Sequence, residues 1–180
     1  FQNSVDNFVS LIIKMHYLHS ASANASAAEL TALIYTDLRD RQLEEVGDCL
    51  SSLMNFRFPQ TAEKLARVVK KILLNSKSTV PEIFVELVLK LAAAPFMRVQ
   101  SEAVGLLSLL FNMKDSIRGW NQSTADIVVR LLEDFFAHRR WATQVALIEE
   151  IKGVFSAFKS VGKEKTCLAL YMETFENCED

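Results

Sequence analysis

Few residues in this chain have both the type and the spacing to do chemistry. His16 and His19 stand at i and i+3 on one helical stretch, close enough to share a metal. A closed zinc site needs about four ligands, and no Cys, Asp or Glu follows within the next turn, so the pair reads as partly exposed helix histidines. His138 lies beside Arg139 and Arg140 with no nucleophile next to it in sequence. Pairing Cys49 or Cys167 with a histidine would require the fold to bring them together. Glu44-Glu45 and Glu149-Glu150 are adjacent carboxylates. Adjacent helix residues point about 100° apart, so these read as solvated surface rather than an acid/base pair. No glycine-rich phosphate loop occurs. The expectation is no catalytic residue, no metal and no cofactor. The sequons Asn24-Ala-Ser26 and Asn121-Gln-Ser123 read as chance triplets in a chain rich in Asn, Ser and Thr.

The basic residues carry more information. Lys64, Arg67 and Lys71 recur at steps of three and four, with Lys70 adjacent and Arg57 and Lys77 beyond the two ends of that stretch. Leu65, Val68, Val69 and Ile72 occupy the opposite arc, so the cations share a solvent face. A second group, Arg139, Arg140 and Lys152, comes later in the chain. Stacked regularly, these stretches would make a shared basic surface for an acidic peptide or a nucleic-acid backbone; the plainer reading is a solvated helix face. Trp120 and Trp141 are candidate interface anchors. Trp120, in a loop, is the better surface candidate, whereas Trp141 opens a helix and is expected to face the core.

The elements that must position these residues are helices. Only 5 Gly and 3 Pro occur in 180 residues, half of the chain is hydrophobic and the mean hydropathy is +0.14. That composition favours a large helical core over a turn-rich β fold or a disordered chain. Apolar residues recur at helical spacing through most of the sequence. Pro59 and Pro81 open helices, Pro95 separates two, and Gly119 marks a loop with Ser123 as the expected N-cap of the helix that follows. The helix expected from about Arg140 to Lys159 stops before Val161-Gly162. About nine helices are predicted, and no alternating strand pattern.

Charge and cysteine content exclude some classes. With 20 basic and 22 acidic residues the net charge is −2, which exerts no global pull toward nucleic acid or membrane. Three irregularly spaced cysteines, Cys49, Cys167 and Cys178, do not form a disulfide framework and point to the cytoplasm or nucleus. No apolar run reaches the ~20 residues of a membrane span. The chain begins at Phe1 rather than Met, as expected of part of a longer protein.

The helices come in pairs, each broken tightly inside: residues 40–56 with 59–75, 81–93 with 96–113, and 123–138 with 140–159. Ala66, Ala103 and Ala146, one in each second helix, stand 37 and 43 positions apart. Two helices per ~40 residues is the spacing of HEAT and armadillo arrays, and the chain resembles that superfamily over residues 40–160. The segment Pro95-Phe-Met-Arg-Val-Gln-Ser-Glu-Ala-Val-Gly-Leu-Leu-Ser-Leu-Leu looks like the second helix of a HEAT unit, with Arg98, Val99 and Ala103 at the matching positions. The resemblance implies an all-α, right-handed solenoid of antiparallel helix pairs. A single domain is expected over 1–180, with N-terminal helices in 1–39, three pairs in 40–160 and a last helix in 163–180. It implies a non-catalytic interaction module or scaffold binding a protein partner, such as an acidic peptide or another helical subunit. A nucleic-acid-associated repeat protein is the alternative, and an all-α enzyme with a site assembled from distant residues a third reading.

Overall fold

A computed structural model describes residues 40–53, 59–75, 79–138 and 140–176, together with Asn7. The expected N-terminal helices, His16, His19 and the Asn24 sequon lie outside the described residues, as do Arg57, Lys77, Arg139 and Cys178.

The described residues form eight α-helices: α1 (Asp40–Leu53), α2 (Pro59–Asn75), α3 (Ile83–Ala92), α4 (Met97–Asn112), α5 (Gln122–Ala137), α6 (Trp141–Glu149), α7 (Ile151–Ser160) and α8 (Glu164–Glu176), with a short 3-10 turn at Lys114–Ser116. The fold is all-α; the β-type pairing among the described residues is an isolated bridge between Val80 and Ile117. That bridge ties the entry to α3 to the exit from α4, through Val80 N–H to Ser116 O at 2.8 Å and Arg118 N–H to Val80 O at 2.9 Å.

Helix boundaries follow the breakers. Proline fixes φ and lacks an N–H, so it is tolerated at a helix start and disruptive inside. Pro59 is the first residue of α2, Pro81 lies just before α3, and Pro95 stands between α3 and α4. The N-cap of α5 is Asn121 rather than Ser123. Asn121 is extended (φ −146°, ψ 176°) and its Oδ1 accepts from Thr124 N–H at 3.0 Å, whereas Ser123 already lies inside the helix. An extended residue placed three before a free N–H satisfies the cap geometry. The stretch expected as one helix from Arg140 to Lys159 bends at Glu150 (φ −98°, ψ 18°) into α6 and α7. Hydrogen bonds continue across the bend, from Glu150 N–H to Ala146 O and from Val154 N–H to Glu150 O, both 3.0 Å.

The core gathers around α4, which packs against α2, α3, α5, α6 and α7. Its own Val99, Ala103, Val104, Leu106, Leu107 and Leu110 are fully buried. The register expected for α2 holds: Leu65, Val68, Val69 and Ile72 are buried, and Lys64, Arg67 and Lys71 are exposed. Helix α1 packs on α3 through a face that includes Val46 and Leu50, and α5 packs on α4, α6 and α7. Ala66, Ala103 and Ala146 are all buried.

Small residues set how closely these helices approach. A Cβ added at Gly153 of α7 would run into Ser108 Oγ of α4 and come within 2.9 Å of Ser108 Cβ. Ser108 is buried, and its hydroxyl has no hydrogen-bond partner among the described residues. Its value at that position is therefore its size. At the C-terminal end, Tyr171 O–H of α8 donates to Leu147 O of α6 at 2.7 Å. Rings link the layers: Phe136 meets Phe158 and Tyr171 edge-on at 6.4 and 4.9 Å.

Leu106→Ala and Leu107→Ala should each lower unfolding stability by ~2–5 kcal/mol in denaturant titrations, the range for emptying a packed leucine site. Gly153→Ala should also destabilise, and Ser108→Gly should recover part of the loss in the double variant because it removes both clashing atoms. Ser108→Ala alone should leave the melting temperature unchanged or higher, since it deletes a buried hydroxyl that makes no hydrogen bond.

Candidate functional site

Helices α2, α4 and α6 lie side by side, and between them runs a cleft of about 490 Å3. Each helix contributes a stripe at helical spacing. From α2 come Glu63, Arg67 and Lys70; from α4 come Arg98, Ser101, Glu102 and Gly105; from α6 come Trp141, Ala142, Val145, Ala146 and Glu149, with Glu150 just beyond. Steps of three, four and seven put such residues on one face of a helix, so the cleft follows directly from the sequence once the three helices are adjacent.

The two walls differ in chemistry. On the α2 side Arg67 is held between two carboxylates, with Nη2 to Glu63 Oε1 at 2.7 Å and Nε to Glu102 Oε1 at 3.2 Å. Arg98, with its side chain 83 % exposed, approaches Glu63 Oε2 at 3.9 Å. These pairs are open to water, so their worth is specific geometry more than stability, ~0–1 kcal/mol each. The α6 side is apolar over Trp141, Ala142, Val145 and Ala146, and ends on Glu149. Deeper in, a Cβ at Gly105 would lie 3.2 Å from both Lys70 Nζ and Glu150 Oε1. The missing side chain at Gly105 therefore leaves room for those two charged groups over the floor.

Trp141 corrects an expectation. It is 77 % exposed, although its place at a helix start suggested a core position. The inward residues of α6 are Thr143, Ala146 and Leu147, and at 100° per residue Trp141 falls on the opposite arc. Trp120, expected at the surface, lies in a loop between helices. It is half-buried and packs edge-on against Phe111, with ring centroids 5.9 Å apart.

The basic groups also sort differently from the sequence pattern. Arg67 and Lys70 enter the cleft, together with four glutamates. Lys64 and Lys71 are exposed on α2 but do not line it. Arg140 is half-buried and donates from Nη1 to Gln100 Oε1 at 2.7 Å, and Gln100 Nε2 in turn donates to Ala94 O at 2.9 Å. Arg140 thus ties the start of α6 to the start of α4 and does not extend a basic surface from α2. Asn121, the asparagine of a sequon, uses its side chain as a helix cap.

Among the described residues, no group of three or more His, Cys, Asp or Glu is placed to hold a metal ion, and no helix is long and apolar enough to cross a membrane. His138 Nδ1 pairs with the carbonyl of Asp134 at the end of α5. Cys167 is fully buried, and burial pushes its thiol up from 9.0 to about 11. Tyr171 is raised as well, first by burial and then by the nearby Cys167 and Glu150. No protein-family model, curated protein or solved structure matches this chain.

A buried thiol whose folded pKa is raised binds its proton more tightly folded than unfolded. Stability is then fully present below pH 9 and falls as pH climbs from about 9 to about 11. Thermal melting followed across that window should show the decline. Cys167→Ala should make it shallower, removing also the part of the Tyr171 shift that Cys167 causes and leaving the part that burial causes. At pH 8, Cys167 should resist alkylation until denaturant is added, because the thiolate is the nucleophile.

Proposed function

We propose that this chain is a helical-repeat interaction module, a non-catalytic scaffold piece of a larger intracellular assembly, which holds a peptide segment of a protein partner in the cleft between α2, α4 and α6. In this reading residues 40–160 form stacked helix pairs of the HEAT/armadillo kind, arranged as a right-handed solenoid with the second helices on one side. The row of α2, α4 and α6 and the buried alanines Ala66, Ala103 and Ala146 support that arrangement.

The observation that carries the functional reading is Trp141. A tryptophan left 77 % exposed on the rim of a concave site has a cost unless something covers it, and interface hot spots are enriched in Trp and Arg. Beside it stand Ala142 and Val145, and across the cleft Arg67 is already oriented by two carboxylates. The site suits a segment with an apolar side chain against Trp141 and polar groups toward Arg67 and Lys70. It suits a polyanion less well, because Arg67 is already paired with Glu63 and Glu102, and Glu149 and Glu150 line the same cleft. That weighs against the nucleic-acid reading, whose remaining support is the exposed pair Lys64 and Lys71.

The test uses peptides selected from a displayed random library, measured against the wild type and Trp141→Ala. The single change should weaken binding about thirtyfold or more, the scale of an aromatic hot spot, with an unchanged melting curve. In a Trp120→Phe background, Trp141 fluorescence should shift on binding. Charge reversal at Lys64 and Lys71 should have little effect on these peptides. Equal affinity of wild type and Trp141→Ala, or a loss confined to the Lys64/Lys71 variant, would overturn the cleft as the binding site.

A further inference from the structure

Helix α8 presents a second surface, away from the cleft. Leu168, Met172 and Phe175 are 54 %, 60 % and 45 % exposed. Their spacing of four and three aligns them along one side of the helix. Cys167, Tyr171 and Thr174, each one position earlier, are buried against the rest of the fold, so the exposed stripe runs directly beside the buried one. The rings make it continuous with the core. Phe158 meets Phe136, Phe136 meets Tyr171, and Tyr171 stacks on Phe175 at 6.3 Å and 27°, carrying aromatic packing from the interior to the outer edge of α8.

Charge says what fits this stripe. Lys165 and Glu176 are both exposed and stand 11 residues apart, three turns of helix, which places them within about 20° of each other on the same flank of the stripe. Neither makes an ion pair among the described residues. The midpoint between them falls within about one residue of the midpoint between Leu168 and Phe175. A flank basic at the helix start and acidic at its end is self-complementary under a two-fold rotation across the helix axis. In two antiparallel copies, Leu168 of each meets Phe175 of the other, the two Met172 side chains meet at the centre, and Lys165 of each reaches Glu176 of the other. In a parallel two-fold pairing the charged flanks would fall on opposite sides of the seam, and Lys165 of one copy would not reach Glu176 of the other.

We propose that α8 is a self-association surface on which a second copy of this chain docks antiparallel, α8 against α8, burying Leu168, Met172 and Phe175 and closing two Lys165–Glu176 ion pairs. The contact is isologous, as two-fold dimers are. One helix face is small against the ~1,200–2,000 Å2 of stable interfaces, so the dimer is weak and reversible, in the micromolar range.

Sedimentation equilibrium over a concentration series tests this. The wild type should pass from monomer to dimer, and Met172→Glu should stay monomeric with an unchanged melting temperature, since Met172 is exposed. Lys165→Glu and Glu176→Lys should each weaken dimerisation about tenfold, because each turns two attractive pairs into repulsive ones. The double swap should restore it. A wild type that stays monomeric at several hundred micromolar, or dimerisation unaffected by Met172→Glu, would overturn the proposal. Single swaps without effect, or a double swap weaker than either single one, would overturn the antiparallel pairing. Because Trp141 and the cleft lie on α2, α4 and α6, loss of dimerisation in Met172→Glu with peptide binding intact separates this surface from the cleft.

Discussion

The tightest glycine contact in the described fold seats α7 on α4, and it depends on the absence of side-chain bulk. Helix α4 is the hub on which α2, α3, α5, α6 and α7 converge. A central helix flanked on so many sides cannot carry a large residue at every inward position. Leu106, Leu107 and Leu110 fill the interior, while Ala103, Gly105 and Ser108 mark the places where another helix or its charged side chains come near. The contact of Gly153 with Ser108 is the tightest case. It seats α7 against α4 just after the bend at Glu150, so the second half of the old expected helix can fold back toward the hub.

That constraint explains what was legible in the sequence. Breakers act through φ and the missing N–H, which are local properties, so Pro59, Pro81 and Pro95 marked the boundaries of α2, α3 and α4 without any tertiary information. Strong amphipathicity did the same for α2, where Leu65, Val68, Val69 and Ile72 separate cleanly from Lys64, Arg67 and Lys71. Helix α6 was different. Its inward face is built from Thr143, Ala146 and Leu147, a weak apolar signal, and the large Trp141 drew the register toward itself. Asn121 and Ser123 are both good N-caps by type, and only the extended backbone at Asn121 decides between them. The bend at Glu150 has no Pro or Gly at the bend itself; the close contact that follows it pairs Gly153 with Ser108, far away in sequence.

Of the residues singled out in the sequence, Arg67 and Lys70, cations on a helix face, line the candidate cleft, and its mixed character was not legible in the sequence. What a single stretch could not reveal is that Glu102 of α4 pairs with Arg67, and that Glu149 and Glu150 line the same cleft. A like-charged stripe along one helix becomes a mixed surface once neighbouring helices add their own side chains. Charge patterning within one element therefore predicts solvent exposure better than it predicts ligand charge. The aromatic wall follows the same logic. Trp141 carries no information as a lone tryptophan; it becomes meaningful through its exposure and through Val145 and Ala142 beside it.

The two exposed apolar features sit on surfaces of opposite design. Around Trp141 the surroundings are concave, and its charged groups are already oriented by partners on the same chain, as suits a ligand that must fit between fixed walls. The stripe on α8 lies along one helix face and is continuous with the interior through Phe136, Tyr171 and Phe175, and its flanking charges, Lys165 and Glu176, make no ion pair among the described residues. An apolar strip along a helix, flanked by oppositely placed charges, is complementary to another helix rather than to an extended segment. The same small-residue packing underlies both. By drawing α6 and α7 onto α4, it leaves the outer arc of α6 facing the cleft and makes α7 the support on which α8 lies, with its own outer side turned to solvent.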